Sequence, residues 1–204
     1  MNRYLGTLIV LSFLQTARME AQQPRCDRLA DATGNQLTSF LKESLDLRQA
    51  QRDAACITFA MRNLEYQSSP ENTDLLMKYL DFHRPLSREE KQGFWLSGLP
   101  ADEDLYPAIS TLSTFGEKIL PDLVDIVEHS ESELMRRNAA HTAFDVYRGA
   151  GYQAIVLLKE KASKVQGIES SRLNAAAQGA VKWCGSLTRQ RCKLAAEGRD
   201  LQSD

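Results

Sequence analysis

Leu105-Tyr106-Pro107-Ala108-Ile109-Ser110-Thr111-Leu112-Ser113-Thr114-Phe115-Gly116, followed at once by Glu117-Lys118-Ile119-Leu120-Pro121-Asp122-Leu123-Val124-Asp125-Ile126-Val127, is the stretch that decides the fold. Tyr106, Ala108, Ile109, Leu112 and Phe115 recur at helical spacing up to Gly116, and Ile119, Leu120, Leu123, Ile126 and Val127 resume that spacing beyond it. Two amphipathic helices joined by a glycine turn form a hairpin, and the hairpin recurs. Ala139, Ala140, Ala143, Phe144 and Tyr147 lead to Gly149, then Ile155, Leu157 and Leu158. Ala175, Ala176, Ala180, Val181 and Trp183 lead to Gly185, then Leu187, Leu194 and Ala195. The turning glycines stand 33 and 36 residues apart, and Asn138-Ala139-Ala140 returns as Asn174-Ala175-Ala176. A period of that size signifies one helical hairpin per repeat.

Outward from this block the same periodicity continues, and no run alternates as a strand would. Leu37, Phe40, Leu41 and Leu45 form one apolar stripe and Ala54, Ile57, Met61 and Leu64 the next. Ser69 precedes Pro70 as a helix cap, with Leu75, Leu76, Tyr79 and Leu80 as the buried face. Residues 83–104 read as an irregular joint holding Pro85, Gly93, Gly98 and Pro100, with one short helix opened by a capping box from Ser87 to Glu90. The expected organisation is a leader over 1–21, a helical part over 22–82, the joint, repeats over 105–200 and a tail over 201–204.

Leu105-Tyr106-Pro107-Ala108-Ile109, Phe115-Gly116 and Ile119-Leu120-Pro121-Asp122-Leu123-Val124 resemble the HEAT-repeat family, as does Arg136-Arg137-Asn138-Ala139-Ala140. The resemblance spans residues 102–200, with a weaker echo at Arg52-Asp53-Ala54-Ala55. It implies an all-α fold, a short right-handed α-α solenoid in which the second helices line a concave face. The second and third repeats lack the second-helix proline, so the curvature of the stack does not follow from the pattern. Small residues suit such a stack: alanines at 139, 140, 143, 175, 176, 177 and 180 let helices approach closely.

The amino terminus reads as a secretory signal. Arg3 supplies positive charge, Leu5 to Leu14 is almost continuously apolar, and Gln15 to Gln23 turns polar with small residues at Ala17 and Ala21. Ten apolar residues reach about half of a roughly 30 Å hydrocarbon core, which predicts cleavage after Ala21 rather than a retained span. Gln23, Pro24 and Arg25 are not the small residues that precede a lipidated cysteine at Cys26. Export to an oxidising compartment gives Cys26, Cys56, Cys184 and Cys192 three ways to form two bridges, proximity favouring Cys184 with Cys192 and Cys26 with Cys56. Four small buried thiols are the other reading. No CxxC is present to suggest zinc or redox chemistry.

Catalytic signatures are missing as well. Gly149-Ala150-Gly151-Tyr152-Gln153-Ala154 has the spelling of a dinucleotide fingerprint but follows helix instead of strand, so a turn between helices is expected. GxSxG, HExxH, Walker and EF-hand spacings do not occur. His83, His129 and His141 are scattered: His129 falls at a helix end, His141 within a hairpin interface, and no metal or cofactor is expected. Asp102, Glu103 and Asp104 read as the acidic first turn of a helix. Trp95 and Trp183 read as packing residues, with partner contact as their second role.

Charge is the feature that speaks to function. Residues 100–135 carry nine acids against one base, net −8, and residues 136–199 carry twelve bases against four acids, net +8. A formal net charge of −2 argues against a surface built throughout for nucleic acid. The expected concave face runs from Asp122, Asp125 and Glu128 through Lys159, Lys161 and Lys164 to Arg189, Arg191 and Lys193. Such a face steers a charged partner. The sequence therefore predicts a monomeric, non-catalytic protein-binding or scaffold module, secreted or periplasmic in a bacterial envelope. The alternatives are a HEAT-like enzyme of the DNA glycosylase or bilin lyase type and an envelope glycan- or lipid-binding protein.

Overall fold

The structure is a computed structural model that describes residues 26–48, 53–97 and 100–199, with backbone alone over 94–97. The signal segment, Arg52 and the side chain of Trp95 lie outside the described residues. These comprise eleven α-helices and no strand. In chain order the helices are α1 Gly34–Asp46, α2 Ala54–Asn63, α3 Pro70–Met77, α4 Arg88–Ser97, α5 Asp102–Leu105 and α6 Pro107–Ser113. There follow α7 Leu120–His129, α8 Glu133–Val146, α9 Tyr152–Ala162, α10 Gly167–Ala180 and α11 Arg189–Glu197. None is long and apolar enough to cross a membrane.

Local chemistry sets the helix ends. The Asp53 side chain accepts from the Cys56 amide, Ser69 from Asn72 and Ser132 from Met135. Pro70, Pro107 and Pro121 occupy first turns, where no intrahelical donor is needed. Gly116 sits at φ 77°, a conformation that costs glycine little, and there the chain turns from α6 toward α7. Gly149 keeps a negative φ, and the turn before α9 falls on Arg148 at φ 49°. The recurring glycines are thus not equivalent in conformation.

Packing follows the order of the chain. α6 lies on α8 and α8 on α10, while α7 packs against α8, α9 against α10 and α11 against α9. α2 and α3 lie on α6, so the core runs without a break from Leu37 to Ala196, across the expected joint. That joint contains α4 and α5 and is organised by Arg84, whose side chain is 5% exposed. Arg84 donates to both carboxylate oxygens of Glu90 at 2.9 and 2.8 Å and to the Asp104 carbonyl. Glu90 also accepts from the Ser87 amide while Ser87 Oγ accepts from Glu90 N, which closes the box read from sequence.

The structure pairs Cys26 with Cys56 and Cys184 with Cys192, and no free cysteine is present among the described residues. Two packing expectations need correction. Ala139, Ala140 and Ala143 are buried, but Ala175 is exposed and Ala176 only half-buried, because α10 turns Leu173, Ala177 and Ala180 inward. Leu187 precedes α11 and is 98% exposed, so it does not belong to that helix's apolar face.

Candidate functional site

Two places on the molecule bring candidate functional side chains together. The first is a groove of about 490 Å³ lined by α7 and α9, with Tyr147, the C-cap of α8, also in its lining. Leu120, Pro121, Val124 and Leu157 supply its apolar lining; Glu117, Asp125, Glu128, Glu160, Lys161 and Lys164 supply its charges. Glu128 stands four residues after Val124 and next to Val127, so the inward face of α7 carries it out of water, and it is 4% exposed. Its Oε2 has no hydrogen-bond partner, yet Lys161 Nζ lies 2.9 Å away. The contact is an ion pair off hydrogen-bonding alignment. Burying a carboxylate without such a cation would cost several kcal/mol, roughly.

Neighbouring elements hold this wall in place. Arg172 of α10 donates to the carbonyls of Glu128 and His129 and to the Glu131 carboxylate, satisfying the exposed C-terminal end of α7. That contact holds the Glu131 carboxyl below its ordinary range. His129 Nδ1 lies 2.9 Å from Asp125 Oδ1, within its own helix end. Burial, and then Glu117 and Glu160, push the Tyr147 hydroxyl pKa up, which keeps it a neutral donor facing two carboxylates.

Of the nine charges expected on one concave face, the groove gathers Asp125, Glu128, Lys161 and Lys164. Asp122 is exposed on α7 outside its lining, and Lys159 turns away to donate to Asn174 Oδ1 at 2.6 Å. Arg189, Arg191 and Lys193 are exposed on α11, where Arg191 lies over the Tyr152 ring at 5.7 Å. The groove thus gathers four of the nine, with Asp125 and Glu128 on α7 facing Lys161 beside Glu160 on α9 and Lys164 just after it.

The second place is built around His141 of α8. Its ring lies parallel to Trp183, with centroids 4.2 Å apart and planes 7° apart, and the side chain is 6% exposed. Nε2 stands 3.3 Å from Glu103 Oε1 and 3.8 Å from Asp145 Oδ2; Nδ1 stands 3.5 Å from Asp102 Oδ2. Burial lowers the imidazole pKa against the pull of Glu103 and Asp102, favouring the neutral ring. Burial first, then the charge and hydrogen bond of Glu103 and the charge of Asp102, push the Asp145 carboxyl up to about 7. Arg137 meets Asp102 at 3.3 Å and lies over Tyr106, whose ring is edge-on to His83.

Sequence reasoning missed this cluster. Asp102 and Glu103 fit their reading as first-turn acids of α5, but that helix has four residues and aims them across at α8. The available signal was the His141–Asp145 spacing, which puts imidazole and carboxylate on one helical face. No family model, curated protein or solved structure matches the chain.

Proposed function

We propose that this chain is an exported, non-catalytic binding or scaffold protein that takes a segment of a partner protein into the groove lined by α7 and α9. The single observation that carries this reading is the groove itself: an apolar lining flanked by acids on α7 and by Lys161 of α9 and Lys164 just after it, with the buried Glu128 carboxylate paired to the half-exposed Lys161 across it. Apolar lining excludes water from a partner's anchor side chains, and rim charges set orientation and encounter rate. The segment it suits carries apolar anchors for Leu120, Val124 and Leu157, a base for Asp125 and Glu117, and an acid for Lys164. Stacked hairpins of the HEAT type, wound as a right-handed solenoid, account for such a groove because the second helices of neighbouring repeats line one face. The two disulfides support a location outside the reducing cytoplasm.

Site-specific photocrosslinking tests the reading. A photoreactive residue at Leu157, half-buried in the groove, should capture one partner protein from the cell envelope, and the same residue at the exposed Gln190 of α11 should not. The charge-reversed pair Asp125→Lys and Lys164→Glu should slow association with the captured protein. Equal capture from both positions, or unchanged kinetics, would refute the groove as the docking site.

A further inference from the structure

The arrangement around His141 does more than pack. Glu103 comes from α5, and His141 and Asp145 come from successive turns of α8, so two helices contribute to one point. One ligand atom from each residue lies within 4.8 Å of the other two. Donors bound to zinc at about 2.0 Å in tetrahedral geometry stand about 3.3 Å apart. The Nε2–Glu103 distance of 3.3 Å has that spacing already, and the Nε2–Asp145 distance of 3.8 Å is slightly wider.

A second observation is independent of the carboxylates. Nδ1 of His141 is buried without a hydrogen-bond partner although Asp102 Oδ2 lies 3.5 Å away, and Trp183 fixes the plane of the ring. Zinc-bound histidines characteristically donate the N–H of the other ring nitrogen to a carboxylate, which selects the tautomer and directs the free lone pair at the metal. Asp102 stands where that carboxylate belongs. Charge agrees: Asp102 is met by Arg137, while among the described residues neither Glu103 nor Asp145 pairs with a lysine or arginine. A dication suits two carboxyl groups that no lysine or arginine meets, and an imidazole among the donors favours zinc over calcium or magnesium.

The geometry points to a zinc site: Nε2 of His141 and one carboxylate oxygen each from Glu103 and Asp145 hold one Zn²⁺, Asp102 orients the imidazole through Nδ1, and water completes the coordination. Bound there, the ion ties α5 to α8.

Isothermal titration of the chelator-treated protein with zinc chloride near neutral pH should give one equivalent per chain. Zinc should also shift the ring-nitrogen resonances of His141 in long-range ¹H–¹⁵N spectra and leave those of His83 unmoved. Glu103→Gln and Asp145→Asn should each weaken binding about a hundredfold or more, and Asp102→Asn by about ten- to a hundredfold. His129→Gln on α7 should change nothing. Circular dichroism checks that each variant folds, and the His141 resonances of the unaltered protein keep the test open if Asp145→Asn does not. No binding, unmoved His141 resonances, or affinity untouched in folded Glu103→Gln would overturn the site.

Discussion

Arg84 and Glu90 meet in a two-pronged ion pair, Nη1 to Oε2 at 2.9 Å and Nη2 to Oε1 at 2.8 Å, with side chains 5% and 14% exposed. Removing one partner of a buried pair strands the other's charge, so Glu90→Ala should destabilise by about 3 kcal/mol. Urea denaturation measures this. Hydrogen bonding from Arg84 holds the Glu90 carboxyl below its ordinary range, against an opposing effect of burial, with help from the Ser87 amide and Arg62. A depressed carboxylate pKa gives stability that is full above the unfolded glutamate value and is lost as pH falls through the folded one. The stability gap between the natural chain and Glu90→Ala should therefore be constant near neutrality and shrink in acid. A gap independent of pH into the acid range would show that the pair is not what the substitution removed.

Gly149 and Gly151, two residues apart in the stretch that imitates a nucleotide fingerprint, should answer to alanine in opposite ways. A Cβ on Gly151 would meet the ring of Phe144 at 2.4 Å, and that ring is buried and set edge-on to Trp183. Nothing lies within 4 Å of a Cβ on Gly149, whose φ is negative. Gly151→Ala should cost about 1–3 kcal/mol through overpacking. Gly149→Ala should be neutral or gain up to about 1 kcal/mol by restricting the unfolded chain. Equal effects in thermal melts would contradict this account.

The same pair shows what could be read from sequence. Helical periodicity identified the elements because each helix must bury one stripe, and Leu75, Leu76, Tyr79 and Leu80 are buried together as their spacing requires. Ser69 and the Ser87–Glu90 box were legible because capping is local. Gly151 was not, since its reason is a ring seven positions earlier in the chain, on another helix. Glu128 was legible as an acid on α7, but its burial depends on where the inward face of that helix ends. Lys161, its partner, lies 33 positions further on. The His141 cluster depends on Asp102 and Glu103 of α5 reaching a side chain on α8, and periodicity within one helix carries no information about such a tertiary approach.

Repetition of letters does not guarantee repetition of roles, and Asn138 and Asn174 make this measurable. Asn138 is fully buried and donates to the Leu80 carbonyl at 2.6 Å, joining α8 to the end of the amino-terminal helices. Asn174 is half-buried and accepts from Lys159 at 2.6 Å. Asn138→Ala leaves a buried carbonyl without its donor and should cost about 1–3 kcal/mol. Asn174→Ala should stay within about 0.5 kcal/mol of the natural chain. The neighbouring alanines extend the contrast. Ala140→Leu should destabilise by about 1–3 kcal/mol because the residue is 1% exposed, while Ala175→Leu on the open side of α10 should be tolerated. Matching losses at 138 and 174 in chemical denaturation would mean that the two asparagines are held alike after all.

The two disulfides close loops of unequal length, with sequence separations of 30 for Cys26–Cys56 and 8 for Cys184–Cys192. If a bridge acts by removing loop entropy from the unfolded chain, the longer loop stabilises by about 3.7 kcal/mol and the shorter by about 2.6 kcal/mol. Their placement sharpens the comparison. Cys26 is tied to α2, where Cys56 lies two residues inside the helix, and the bridge anchors the segment that leads into α1 to the core. Cys192 lies on the buried face of α11 and Cys184 just after the turn that follows α10, so the second bridge holds the last helix against its predecessor. Replacing both cysteines of each pair by serine should lower stability in both cases, and by about 1 kcal/mol more for Cys26 and Cys56. Urea denaturation of the two double variants under oxidising conditions measures the difference. A larger loss for the shorter loop would show that native packing of α11, and not chain entropy, is what its bridge secures.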